Sequence, residues 1–187
     1  MTQEINQHRR KWLSLGGLVL GASFLPNSVL AAVSTPKPRI LRFRNINTGD
    51  VLAPEFVAGK GFSEANLKKL DWLMRDKRSG KSHRMDPKLF TKLYDIQTKL
   101  GARQSEIIVI SGYRSPASNA AMRRVSRGVA SNSYHTKGQA IDLRIENVSL
   151  LKLKQTAESL NNGGVGFYPR SNFVHIDTGP VRTWSGS

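Results

Sequence analysis

Two histidines and one aspartate carry side chains that could hold a metal ion together. His135 and Asp142 lie seven positions apart, and Gly138 between them lets the chain turn back so that the imidazole can approach the carboxylate. His175 lies further along, in a second short stretch of alternating polarity. Two imidazoles and one carboxylate, with a fourth position open, form the donor set of a catalytic zinc site. The alternative is that each histidine is a separate structural residue held by hydrogen bonds, because spacing alone does not bring His175 to His135.

Alternating polarity predicts that two strands carry these side chains. In residues 139–145 the apolar odd-numbered side chains face one side and Asp142 faces the other. Residues 173–177 alternate likewise, so that His175 and Asp177 share the face opposite two apolar side chains. Each strand can therefore bury its apolar face and present its polar residues on the other.

Several motifs around these residues resemble those of the D-Ala-D-Ala peptidase (M15) group. The pattern S-x-H-x-x-G-x-A-x-D resembles the zinc motif of that group, and Ser-Gly-Tyr-Arg-Ser at 111–115 resembles its substrate-arginine motif. The glycine-rich stretch 163–169, followed by 173–179, is similar to the M15_3 (DUF882, YcbK-like) branch. The zinc motif is matched at Ser133, His135, Gly138, Ala140 and Asp142.

The resemblance implies a zinc metallopeptidase with one Zn²⁺ per chain, bound by His135, Asp142 and His175. It implies hydrolysis of murein peptide cross-links at bonds involving meso-diaminopimelate, of the L,D type and also D-Ala links. Arg114 would bind the substrate carbonyl or carboxylate and stabilise the oxyanion, a task that suits its planar fork. Ser133 would donate a hydrogen bond to substrate, and Tyr113 would line the cleft.

The general base is the point at which this sequence departs from the family pattern. Many relatives place an acid or a histidine three residues before the last zinc histidine, where this chain has Asn172. An amide does not take up a proton at ordinary pH. Asp177 is the nearest candidate base, and its alternative role is to orient an imidazole.

Three other functions compete with the endopeptidase reading. A carboxypeptidase would trim free peptide ends, and a wall-binding module would keep the zinc for structure alone. A nucleic-acid binder would account for the net charge of +16, but the sequence lacks the interleaved aromatic and basic residues of such proteins. The carboxylates of a wall polymer suit this charge better, so peptidoglycan is the expected partner.

The N-terminus predicts export to the periplasm. Arg9 and Arg10 precede an apolar stretch, 13–25, and small residues follow, the order of a cleavable signal. The arginine pair favours the twin-arginine route. Cleavage is expected after Ala31, with Ala32 as the alternative, and the apolar run is too short for a stable membrane span. The chain has no cysteine, which excludes disulfides and thiolate ligands.

The remainder is expected to be a linker, 32–39, and one zinc peptidase domain, 40–187, of the α+β class. The resemblance implies a hedgehog/D-Ala-D-Ala-peptidase-like domain with a small antiparallel sheet and flanking helices. The oligomeric state is not predicted. Capping residues and apolar periodicity predict helices over 63–77, 86–100, 115–127 and 149–160, and strands over 41–44, 51–57, 107–110, 139–145, 165–168 and 173–178.

Overall fold

A computed structural model describes residues 38–57, 59–126 and 128–186. The predicted signal peptide, and all of the predicted linker except its last two residues, lie outside the described residues. In the part of the chain that is described, no helix is both long enough and apolar enough to cross a membrane.

The described chain contains ten strands, four α-helices and one 3-10 helix, so the predicted α+β class is confirmed. The helices are α1 Glu64–Leu73, α2 Pro87–Leu100, α3 Pro116–Val125 and α4 Leu150–Ser159, with the 3-10 helix at Tyr134–Lys137. The strands are β1 Arg39–Ile40, β2 Phe43–Asn45, β3 Val51–Leu52, β4 Glu55–Val57, β5 Gly61–Phe62, β6 Ile107–Ser111, β7 Ala140–Ile145, β8 Gly164–Tyr168, β9 Phe173–Asp177 and β10 Arg182–Ser185.

The strands form two sheets. The larger sheet has the order β10-β8-β9-β7-β6-β2-β3, and the smaller one has the order β1-β4-β5. The larger sheet is mixed, because β10 runs parallel to β8 and β2 runs parallel to β6. The larger sheet therefore differs from the expected small antiparallel sheet in its size and in these two parallel pairings, whereas its other pairs and the smaller sheet are antiparallel.

One strand prediction is wrong and one strand was not predicted, each for a local reason. The stretch 51–57 is divided at Pro54, so that β3 pairs with β2 in the larger sheet while β4 pairs with β1 and β5 in the smaller. Proline has no N–H to continue a ladder. The strand β10 was not predicted, because its alternating positions carry Arg182 and Trp184 instead of an apolar face.

The predicted helix starts are confirmed, but two ends differ. The side chains of four residues cap α1 to α4 as expected, at Ser63, Asp86, Ser115 and Ser149. The helix α1 ends at Leu73 instead of residue 77, and α3 ends at Val125 instead of 127. The chain turns after α1 because the Asp76 carboxylate accepts hydrogen bonds from the backbone N–H groups of Arg78, at 3.0 Å, and Ser115, at 2.9 Å.

The core lies where α2 packs against both sheets. Phe90 of α2 is fully buried, and its ring lies edge-on to Phe43 of β2, at 6.0 Å, and to Phe62 of β5, at 5.7 Å. The strand β6 is buried on one face and half-buried on the other. The rigid centre of the larger sheet, β6-β7-β9, carries the residues singled out for chemistry.

Removing the Phe90 ring should destabilise this core. Phe90→Ala is expected to lower the free energy of unfolding by about 3–5 kcal/mol, because it leaves a cavity between the two sheets. Urea denaturation measures the change, with Val125→Ala as the control. Val125 is 87% exposed, so its truncation should change the free energy by less than about 0.5 kcal/mol. Equal effects of the two substitutions would contradict this description of the core.

Candidate metal centre

Three potential ligand atoms from separate elements meet at one place. The strands β7 and β9 pair antiparallel with Asp142 opposite His175, and the 3-10 helix supplies His135. The Nε2 atom of His135 lies 3.2 Å from Asp142 Oδ1 and 3.2 Å from His175 Nδ1. The last two atoms are 2.9 Å apart. The structure thus brings together three residues that the sequence separates by up to 40 positions.

Both imidazoles turn their other ring nitrogen away from this cluster toward an acceptor. The Nδ1 atom of His135 lies 2.7 Å from the carbonyl oxygen of Gly112, and His175 Nε2 lies 2.9 Å from Asp177 Oδ2. An outward N–H that donates in this way leaves the inward nitrogen unprotonated, as a metal ligand must be. Ligands about 2.0–2.1 Å from a tetrahedral zinc ion lie roughly 3.3 Å apart, close to the separations seen here. The donor set therefore fits a zinc ion.

The cluster favours the ionised form of its carboxyl group. Burial of Asp142 acts to raise its pKa, but the charge and hydrogen bonds of His135 and His175 outweigh burial and hold the pKa well below its usual range. Burial likewise acts to lower the pKa of His175, while hydrogen bonds to Asp142 and Asp177 raise it above the ordinary value. A proton and a metal ion therefore compete for His175.

Two residues of the predicted zinc motif shape the turn that presents His135. The Ser133 hydroxyl oxygen accepts a hydrogen bond from the His135 backbone N–H at 3.3 Å and begins the 3-10 helix. Gly138 ends this helix with φ 67°. A side chain at Gly138 would collide with the carbonyl oxygen of Arg84. Ser133 is buried beside the cluster, and its predicted contact with substrate stays a prediction.

Arg114 lies against the same cluster. Its Nη2 atom is 3.7 Å from Asp142 Oδ2, and its backbone N–H donates to the His135 carbonyl oxygen at 3.1 Å. The guanidinium is 8% exposed, so a surface salt bridge is not its role. Its only side-chain hydrogen bonds among the described residues are long ones, to Asn119 Oδ1 at 3.3 Å and Ser111 Oγ at 3.5 Å. Most of its donor capacity is thus left for another acceptor.

Asp177 lies behind His175, on the side of the ring that points away from the cluster. Its carboxylate also accepts hydrogen bonds from the N–H groups of Gly164, at 3.0 Å, and Gly179, at 2.9 Å, and from both terminal nitrogens of Arg182. Burial acts to raise the pKa of Asp177, but hydrogen bonds with His175, Arg182 and the Gly179 N–H group hold it well below its usual range. The placement favours the alternative role of orienting the His175 imidazole.

Sequence reasoning missed Arg182 and Trp184. The Arg182 guanidinium forms a two-pronged ion pair with Asp177, with Nη2 at 2.6 Å from Oδ2. It lies between the rings of Tyr134, at 4.8 Å, and Trp184, at 5.0 Å. The Trp184 ring in turn lies 5.2 Å from that of His175. The sequence does show an arginine and a tryptophan shortly after residues 173–179. It did not predict a strand there, because these residues lack an apolar periodicity.

Tyr113, Tyr168 and Asn172 contact residues other than the three potential ligands. Tyr113 is buried, and its ring stacks on exposed His83 at 4.7 Å. The hydroxyl group of Tyr168 accepts a hydrogen bond from the Trp184 indole at 2.8 Å. Asn172 is exposed in the turn between β8 and β9 with φ 57°, a conformation that asparagine adopts more readily than most residues. Backbone geometry therefore accounts for an asparagine at this position.

Comparisons with known proteins point to one family. The family model Peptidase_M15_2, described as peptidoglycan L,D-endopeptidase MepK, matches residues 33–184. A Haemophilus influenzae protein named "Probable peptidoglycan L,D-endopeptidase MepK" is 68% identical over 97% of this chain and 98% of its own length. The Escherichia coli K12 "Peptidoglycan L,D-endopeptidase MepK" is 50% identical over 97% of this chain and 99% of its own length. No solved structure matches the chain. The resemblance to M15 peptidases is confirmed, with M15_2 in place of the M15_3 branch.

One buried lysine supports the loop behind the cluster. Lys92 of α2 is 1% exposed, and its Nζ atom donates to the carbonyl oxygen of Asp177 at 3.0 Å. Burial lowers the pKa of Lys92 to about 8, although the negative charge of Asp177 acts to raise it. At neutral pH the buried ammonium group of Lys92 therefore lowers the free energy of unfolding.

This destabilisation predicts a rise in stability at alkaline pH. Between about pH 8 and the unfolded lysine pKa of about 10.4, the unfolded chain binds more protons than the folded one, so the free energy of unfolding increases with pH. The gain should be about 2 kcal/mol between pH 7 and pH 10 relative to Lys92→Met, which removes the titrating group. Urea denaturation of both metal-free proteins across this range measures it. Parallel pH profiles for the two proteins would show that Lys92 is not destabilised as an ammonium ion.

Proposed function

Since the chain belongs to the Peptidase_M15_2 family, it is a peptidoglycan endopeptidase, and we propose that it hydrolyses L,D peptide bonds of peptidoglycan cross-links with one bound zinc ion. The ligands are His135, Asp142 and His175. One observation carries the zinc assignment: three donor atoms converge, all within 4.8 Å of one another, while the outward nitrogen of each imidazole already has an acceptor.

The chemistry divides between the metal ion and the chain. A zinc ion bound by two imidazoles and a carboxylate supplies a Lewis acid for the scissile carbonyl and hydroxide near neutral pH. Arg114 binds the substrate carbonyl oxygen and stabilises the negative charge that develops on it, because its buried guanidinium lies beside Asp142 with few other partners. Ser111 and Asn119 hold this guanidinium in place.

Asp177 acts as a positioning residue. Its hydrogen bond to His175 Nε2 fixes the ring orientation, and Arg182 fixes the carboxylate in turn. A carboxylate behind a metal-bound imidazole also strengthens that ligand as an electron donor. Gly164 is required beside this pair because a Cβ there would crowd both the Arg182 guanidinium and the Asp177 carboxylate.

The same proposal includes export to the periplasm by the twin-arginine route. It rests on the arginine pair at 9–10, the apolar stretch 13–25 and the small residues up to 32. Removal of residues 1–31 leaves a formal charge of +14, which suits a polymer that carries carboxylates. Peptidoglycan lies outside the cytoplasmic membrane, where such an enzyme must act.

Digestion of purified sacculi tests the function. The protein should convert cross-linked dimers into monomers, as identified by mass. Metal-stripped protein and His135→Ala should lose about 10³-fold or more of this activity, because the hydroxide and the Lewis acid are lost together. One equivalent of zinc should restore activity to the metal-stripped wild-type protein but not to His135→Ala. Asp95→Ala, an exposed substitution on α2, is the control.

Two results would favour the competing functions. Loss of terminal residues from monomers with dimers left intact would indicate a carboxypeptidase. Binding to sacculi without any new peptide, even with zinc added, would indicate a non-catalytic wall-binding module. Full activity of the metal-stripped protein would contradict the zinc assignment itself.

Asp177→Asn separates the orienting role from the base role. Loss of the anionic acceptor should weaken zinc binding about 10–100-fold, measured by competition with a chromophoric chelator, whereas Asp95→Asn, an exposed substitution on α2, should leave zinc affinity unchanged. In both proteins zinc affinity should already fall as the pH drops below about 6.5, because the pKa of His175 lies above its ordinary value and protons displace the metal from the imidazoles. Unchanged zinc affinity together with a 10²–10⁴-fold loss of rate would instead identify Asp177 as the base.

A further inference from the structure

A cationic recess adjoins Arg114, and none of the three candidate zinc ligands lines it. It has a volume of about 20 Å³, and its lining includes Arg75, Lys77, Arg78 and Arg114. This space holds about one or two water molecules, the size of a small polar head group. Four cations and a single carboxylate, Asp76, line it. The charge of the recess therefore favours an anion.

The Asp76 carboxylate is already fully engaged by the protein. It accepts hydrogen bonds from the backbone N–H groups of Arg78 and Ser115, and from the Ser79 hydroxyl at 2.9 Å. Burial acts to raise its pKa, but these donors hold it well below its usual range. Asp76 thus shapes the loop that follows α1 and fixes the backbone of Arg78 within this loop. Its oxygens are thus occupied by the protein, and its single negative charge is smaller than the four positive charges that line the recess.

Two of the four cations are also occupied. Arg75 pairs with Asp50, donates to the Trp72 carbonyl oxygen at 2.9 Å and stacks on the Trp72 ring at 4.3 Å. Lys77 Nζ donates to Asn47 Oδ1 at 2.6 Å. Within the described residues, the Arg78 side chain has no hydrogen bond or ion pair, and it is exposed. Arg78 and Arg114 are therefore the cations that remain available to a ligand.

Arg78 and Arg114 line the same recess, so one small ligand can reach both guanidinium groups. A carboxylate placed there would accept charge-assisted hydrogen bonds from each of them.

We propose that Arg78, together with Arg114, forms a subsite for a free carboxylate of the substrate peptide next to the scissile bond. This inference rests on the proposed function. A diaminopimelate residue has two carboxyl groups, and at least one stays free in a cross-linked peptide. The free carboxylate displaces water from the recess and bridges the two guanidinium groups, while Arg114 keeps its contact with the scissile carbonyl. Arg78 is thus a specificity-determining residue.

Two synthetic cross-linked dimers test this subsite. They differ only in the diaminopimelate group next to the scissile bond, which is a free carboxylate in one and a carboxamide in the other. The wild-type protein should cleave the carboxylate dimer with about tenfold higher kcat/KM, mainly through KM. Arg78→Gln should lose this preference by weakening only the carboxylate dimer, and Arg78→Lys should retain part of it. Arg123→Gln, an exposed arginine on α3 outside the recess, should behave as wild type.

Binding measurements keep this inference separate from the proposed function. Calorimetry with metal-free protein gives the affinity for each dimer without turnover, and the same tenfold difference should appear there and vanish in Arg78→Gln. Equal kcat/KM and affinity of the wild type for the two dimers would overturn the subsite while leaving the endopeptidase function intact. An equal loss of affinity for both dimers in Arg78→Gln would do the same. A tenfold binding preference without cleavage of either dimer would support the subsite and overturn the endopeptidase function.

Discussion

The pairing of β7 with β9 is the constraint on which the candidate metal centre depends. It places Asp142 directly opposite His175 on one face of the sheet, while Ile141 and Ile176 pair on the core face. A slip of one residue in this register would turn every side chain of one strand to the other face. The 3-10 helix then needs only a short turn, from His135 to Gly138, to add the third donor. The apolar core and the polar cluster are thus fixed by the same strand pairing.

The cluster is held from behind by a continuous polar network. Arg182 holds Asp177, Asp177 holds His175, and the Gly112 carbonyl oxygen holds His135. Tyr134 and Trp184 enclose the Arg182 guanidinium between their rings. Aromatic and charged contacts of this kind strengthen each other when they are shielded from water. The cost of burying the Lys92 ammonium group behind the cluster indicates a site in which charge placement outweighs local stability.

The sequence predicted the parts of this site that local patterns encode. The alternation around Asp142 and His175 and the resemblance to the family's zinc motif predicted the three clustered residues, and the capping residues predicted the helix starts. It did not predict β10, because Arg182 and Trp184 make no apolar face, and it could not decide between two roles for Asp177. The choice between these roles depends on which ring nitrogen of His175 faces the Asp177 carboxylate. The strand register and the His175 rotamer together determine this contact. The division of 51–57 between two sheets likewise follows from long-range pairing on either side of Pro54.

The central claim is that one divalent ion is shared by a turn and two paired strands. An anomalous difference map recorded at the zinc edge, from crystals of the protein grown with one equivalent of zinc, tests it most directly. The account predicts one strong peak about 2.0–2.2 Å from His135 Nε2, His175 Nδ1 and a carboxylate oxygen of Asp142. A peak elsewhere on the chain, or one that keeps its occupancy in His175→Ala, would contradict it.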